Sequence, residues 1–135
     1  MRTYWETEKS LENEHVRIEF QWLMEDARDF MCDSLSTQME RNPDRNRIVC
    51  YDKDRGFPTC TVEVPKDLGN YYYRKMNHLD PHLLQSWMDY LYLDVCAYHN
   101  DFDAYSDAYK DMHNVRPHYT KRQWDIMVKE AQNLK

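Results

Sequence analysis

The sequence predicts an α+β fold, mostly α, in which four or five helices pack with one small β-hairpin at about residues 47–64, within a single domain spanning residues 1–135. Three observations predict it. Apolar residues recur at helical spacing over residues 11–39. Two β-prone runs, RIVCY and TCTVEV, flank a short loop that contains glycine. Helix-start signals stand at Asp80-Pro81 and at Thr120 to Gln123.

Residues 1–10 are polar with Tyr4 and Trp5, and read as a short arm or the first turn of a helix. From Leu11 to Met39, Val16, Phe20, Leu23, Ala27, Phe30 and Ser34 step by three or four, with Met24, Met31, Leu35 and Met39 beside them. Glu12, Glu19, Glu25, Asp26, Asp29 and Asp33 fall opposite, so one long amphipathic helix is expected, ending before Asn42-Pro43. NPDRN is a turn by composition. The hairpin follows, Arg47 to Tyr51 and Thr59 to Val64 around DKDRGFP. It places Cys50 and Cys60 across from each other, and reduced, half-buried thiols are expected there. Its free edges are open to a partner chain, a homodimer included. Pro65 is expected to open a short helix that Gly69-Asn70 ends. Tyr71, Tyr72 and Tyr73 are consecutive, so at least one is expected to face solvent. Asp80 caps and Pro81 opens a helix carrying Leu84, Trp87, Met88, Leu91, Val95 and Tyr98, the most apolar one, which belongs at the centre of the core. Phe102 to His113 forms a further helix that ends at Asn114. Thr120 to Gln123 is a capping box for the last, with Trp124, Met127, Val128 and Ala131 inside.

Composition narrows the function. Charged residues are 31% and hydrophobic ones 41% of the chain, which is globular composition. Only Gly56 and Gly69 are glycines, so phosphate-cradling loops are excluded. The net charge of −6 argues against direct nucleic-acid binding, which needs lysine and arginine, and is open to imitation of a nucleic acid, docking on a basic partner surface, or, as the commoner explanation, solubility alone. The acidity is concentrated: residues 1–40 hold ten acids against four bases, and residues 76–114 seven against one. Eleven tyrosines and four tryptophans suit interfaces. The N-terminus is polar and acidic, unlike a signal peptide, and no apolar run approaches the roughly 20 residues of a membrane span, so no membrane partner is expected.

Catalytic and metal-binding patterns fail on inspection. No two cysteines stand at C-x-x-C spacing. Asp101, Asp103 and Asp107 start a calcium-loop spacing, but Ser106 replaces its glycine and Met112 its final glutamate. His78 and His82 are four apart, with Pro81 between them breaking the face they would share. A small metal-dependent hydrolase or nuclease could be built on His113 and His118 with Asp111, or on His78 and His82. No cofactor and no catalytic residue is assigned.

The stretch Phe102 to Trp124 carries the functional candidates. Asp103, Asp107 and Asp111 fall at i, i+4 and i+8, on one helix face, with a rise of about 6 Å per step. Such a ladder can imitate a row of phosphates and compete for a basic groove; a plain solvated face is the alternative. These three aspartates, with Tyr72 and Tyr73, are the partner-binding candidates. Lys110, Arg116 and Pro117 mark a structural joint, with Arg116 expected to pair with an acid.

The segment Tyr105-Ser-Asp-Ala-Tyr-Lys-Asp-Met-His-Asn-Val-Arg-Pro117 resembles a short element of small uncharacterised tailed-bacteriophage proteins: Tyr-Lys-Asp, four residues, Arg-Pro. Tyr109, Lys110, Asp111, Arg116 and Pro117 match it; Asn114 replaces a glycine and His118 a second basic residue. The match covers about a tenth of the chain. The resemblance implies a phage origin and the cytoplasm of the infected bacterial host. With the charge, it implies a protein that binds and inhibits a host defence protein or nucleoprotein complex, of anti-CRISPR or anti-restriction type. A virion or scaffolding component is a further alternative.

Overall fold

A computed structural model describes residues 3–26 and 39–135. The N-terminal half is a four-stranded antiparallel sheet in the order β1-β2-β3-β4, with β1 Thr3–Glu12, β2 Val16–Asp26, β3 Met39–Asp52 and β4 Phe57–Val64. The expected long helix is therefore wrong where it can be compared. Leu11 to Asp26 is strand and turn, and residues 27–38, with Cys32, lie outside the described residues. The fold is a mixed α+β structure with a full sheet, not a mostly helical one with a small hairpin.

The reason lies in β2. Val16, Phe20 and Leu23 satisfy a helical step, but Val16, Ile18 and Phe20 also alternate with Arg17, Glu19 and Gln21, and that period of two is the one realised. Ile18 pairs with Leu11 on one side and with Cys50 on the other, so cross-strand packing decides between the two periods. The β1–β2 turn is held by Asn13, whose Oδ1 accepts from the amides of His15 and Val16 at 2.8 and 2.9 Å. NPDRN does not reverse the chain. Trp22 pairs with Asn46 and Leu23 with Asn42, so Pro43 to Arg45 bulge out of a continuous β3. An Asx turn, Asp44 N–H to Asn42 Oδ1 at 3.1 Å, shapes the bulge. The β3–β4 hairpin is the one expected, closed by Asp52 Oδ1 on the Asp54 amide at 2.9 Å and by Gly56 at φ +75°.

Four helices follow: α1 Gly69–Asn77, α2 Leu84–Tyr98 after a short 3₁₀ turn Pro81–Leu83, α3 Phe102–His113 and α4 Lys121–Gln132. Gly69 starts α1 instead of ending a helix from Pro65. A Cβ at Gly69 would come within 2.6 Å of Asn46 Oδ1, so this glycine marks a close approach of helix to sheet. The tyrosine triplet is accommodated without a fully exposed ring: Tyr72 is buried, and Tyr71 and Tyr73 on either side are half-buried. Asp80 caps the 3₁₀ turn through the His82 amide at 2.9 Å.

Two apolar clusters share α2. Ile18, Phe20, Ile48, Cys50, Val62 and Val64 of the sheet meet Leu68, Tyr72, Met76, Leu84, Met88 and Leu91. Farther along α2, Leu93, Cys96 and Ala97 meet Tyr105 of α3 and Trp124, Val128 and Ala131 of α4. The most apolar helix is thus central, as its composition predicts, with the sheet on one side and α3–α4 on the other. Among the described residues no helix is long and apolar enough to cross a membrane.

Candidate partner-binding surfaces

The acidic ladder is built as its spacing requires. Asp101 caps α3 by accepting from the Ala104 amide at 3.1 Å. Asn114 ends the helix in the left-handed region at φ 62°, its amide donating to Lys110 O at 2.7 Å. Tyr105 and Ser106 are buried and Tyr109 and Met112 half-buried, which leaves Asp103, Asp107 and Asp111 exposed together.

The three aspartates are not equivalent. Arg116 donates from Nη1 to Asp107 Oδ1 at 2.7 Å and to the buried Ser106 Oγ at 3.0 Å. The middle rung is therefore compensated, whereas Asp103 and Asp111 have no ion pair among the described residues. The Arg116–Asp107 pair is solvent-exposed and contributes at most about 1 kcal/mol. Its effect is geometric: it ties the segment after α3 back onto the helix. Lys110 joins through its backbone carbonyl, and Pro117 is half-buried just beyond.

Beneath the ladder is an aromatic wall. Trp124 meets Phe102 and Tyr105 edge-on at 5.0 and 5.1 Å between ring centroids, and its indole N–H donates to Asn100 Oδ1 at 2.8 Å. The Tyr105 and Tyr119 hydroxyls lie 3.3 Å apart. Burial, then that hydrogen bond, holds the Tyr105 proton well above the ordinary tyrosine range. Asp94 of α2 lies beside a cavity of about 180 Å³ lined also by Tyr71, Tyr105 and Glu130. Its residue surface stays open to solvent on one side, yet desolvation by its packed neighbours pushes its carboxyl up.

No family model, curated protein or solved structure matches this chain.

Tyr72 and Tyr73 are separated from the ladder. Tyr72 is 4% exposed inside the first cluster and is closed to a partner. Tyr73 sits edge-on to Phe20 at 5.3 Å with Lys9 Nζ 5.5 Å from its ring and is half-buried. The histidines do not assemble a metal centre: among the described residues no group of three or more His, Cys, Asp or Glu side chains is placed to hold an ion.

The sheet face turned away from the helices carries a polar network that local patterns do not reveal. Gln21, 4% exposed, donates from Nε2 to Glu19 Oε1 at 3.0 Å and to the Tyr51 hydroxyl at 3.2 Å, and accepts from Arg47 Nε at 2.7 Å. Glu19 accepts further from Thr7 and from Arg17 Nε, the latter at 2.7 Å. Arg47 lies over the Trp5 ring at 4.3 Å and Arg17 over Tyr51 at 4.9 Å. Under this layer Val49 is 1% exposed. Desolvation raises the Glu19 carboxyl, but the hydrogen bonds from Thr7 and Gln21 and the charge of Arg17 outweigh it and hold the group below its ordinary value. The signal in the sequence is the alternation of Arg17, Glu19 and Gln21 with Ile18 and Phe20, read as a strand.

Proposed function

We propose that the protein is a small acidic, phage-encoded inhibitor that binds a basic surface of a host defence protein or nucleoprotein complex in the cytoplasm of the infected bacterium. The single observation that supports this reading is the pair Asp103 and Asp111. They are exposed on one face of α3, about 12 Å apart along the axis, and neither makes an ion pair among the described residues, although Lys110 adjoins Asp111 in the chain. Two uncompensated carboxylates on a braced helix offer fixed points to a groove shaped for phosphates. With Asp107 neutralised by Arg116, the imitation is of two spaced charges instead of an even row. The short Tyr-Lys-Asp…Arg-Pro resemblance supplies the phage context.

The test is capture from a bacterial host lysate with the wild-type protein and with Asp103→Lys/Asp111→Lys. Asp107 is left intact because reversing it would also release Arg116. The wild type is expected to retain a host protein that raised salt or added duplex DNA releases. The variant, with unchanged circular dichroism and melting, is expected to lose it. Equal retention by both proteins sinks the reading. In a lysate of infected cells, retention by both proteins of the phage's own virion proteins would indicate a particle component instead.

A further inference from the structure

Cys50 and Cys60 occupy directly opposed positions in the β3–β4 register. Residues opposed in an antiparallel pair have Cα atoms about 4.5–5.5 Å apart, inside the window of about 4.4–6.8 Å that a disulfide spans. Opposed residues also point to the same face, here the one toward the helices, where Cys50 is fully buried and Cys60 packs half-buried against the same cluster. Both are free thiols. Cys50 Sγ lies 3.9 Å from Gln85 Oε1, and Thr59 Oγ1 donates to Cys50 O at 3.2 Å across a β-bulge. Cys60 lines an open cavity of about 450 Å³ with His15, Asp52, Gln85 and Asp89, which gives a small reagent a route to one sulfur of the pair.

We propose that Cys50 and Cys60 form a reversible cross-strand disulfide, made by exchange with a low-molecular-weight disulfide that enters through this cavity. The Cys60 thiolate attacks one sulfur of the reagent, forms a mixed disulfide and expels one reagent thiolate. The Cys50 thiolate then attacks Cys60 Sγ and expels the second. Two protein thiols are oxidised, one reagent disulfide is reduced to two thiols, and the two protons pass to the leaving thiolates. Burial raises both protein thiols, and the carboxylate of Asp89 adds to this, so the exchange is slower than for free cysteine. The acids of the cavity favour a cationic reagent over an anionic one. Closed, the bond joins β3 to the edge strand β4 at the point where the bulge interrupts their pairing.

The experiment treats the native full-length protein with cystamine, a cationic disulfide. Unfolding, alkylation of remaining thiols, and peptide mass mapping follow. The expected result is loss of two alkylatable cysteines, a mass lower by two hydrogens, and a cross-linked peptide pair containing Cys50 and Cys60, all reversed by dithiothreitol. Cys60→Ser is expected to leave Cys50 alkylatable under the same treatment. A stable cysteamine adduct on Cys60 with Cys50 still free overturns the proposal. So does a bond from Cys60 to Cys32 or Cys96, or no reaction at either thiol.

Discussion

Glu19 shows how much one side chain can organise. Its carboxylate accepts from Thr7 on β1, from Gln21 beside it on β2 and from Arg17, while Gln21 extends the network to Arg47 and Tyr51 on β3. Charge-assisted hydrogen bonds at a largely buried carboxylate are the strong kind, and its side chain is 13% exposed. Glu19→Gln is expected to cost about 1–3 kcal/mol at neutral pH, measured by urea unfolding. The pH dependence has a definite sign. The folded carboxyl titrates below the ordinary value of 4.5, so its stabilisation is complete above pH 4.5 and is lost as pH falls through the folded value. The gap between wild type and variant should close in acid; a gap constant from neutral pH into acid would contradict the network. Asp94 is its opposite, a carboxyl raised by desolvation.

At the scale of elements, the two halves of the chain obey different controls. α3 and α4 begin, and α3 ends, on local signals: Asp101 on the Ala104 amide, Asn114 in the left-handed region, and the Thr120–Gln123 capping box with both bonds made, at 2.8 and 3.1 Å, while Asp80 before Pro81 caps the 3₁₀ turn that leads into α2. These signals lie within four residues of what they control, so they are readable in sequence. β1 and β2 are not, because Val16 and Phe20 suit either period and the choice is made by Leu11 and Cys50 across the ladder. The exposed aspartates of α3 were likewise legible from spacing, but the ion pair of the middle one was not, since Arg116 returns to it across the joint. Gly69 is a case where a residue type pointed the wrong way: it reads as a stop and is in fact a contact. Gly69→Ala gains up to about 1 kcal/mol of helix propensity. It also drives a methyl group against the side chain of Asn46, which is 7% exposed and bonded to Gln21 O. Overpacking of that kind costs about 1–3 kcal/mol, so net destabilisation is expected in thermal or urea melts. A stabilised variant would show that Asn46 swings aside freely.

For the whole molecule, the sheet, the α1–α2 layer and the α3–α4 pair are stacked with α2 as the common wall. The sheet and α1–α2 share a cluster with nine-tenths or more of each of its core side chains withdrawn from water, and Asn13 Nδ2 bonds Pro81 O at 2.9 Å across the layers. The edge strand β4 carries Pro58, which cannot donate to a neighbouring strand and blunts the edge against chance pairing. The acidic surface, by contrast, stands on the outermost layer, away from the sheet.

The position of α2 has a consequence for how the molecule opens. α3 and α4 rest on the far end of α2 and on each other, through a smaller cluster whose aromatic members keep some surface in water. Native proteins breathe in units set by such boundaries, and the least costly unit here is the C-terminal pair of helices, lifting from α2 while the sheet stays closed. Amide hydrogen exchange should then report two protection classes, with α3 and α4 exchanging together and well before β2, β3 and α2; a single uniform class would show that the layers open as one. The carboxylates proposed to meet a partner thus ride on the part of the molecule expected to open most readily, and a partner that grips Asp103 and Asp111 would also clamp that unit shut.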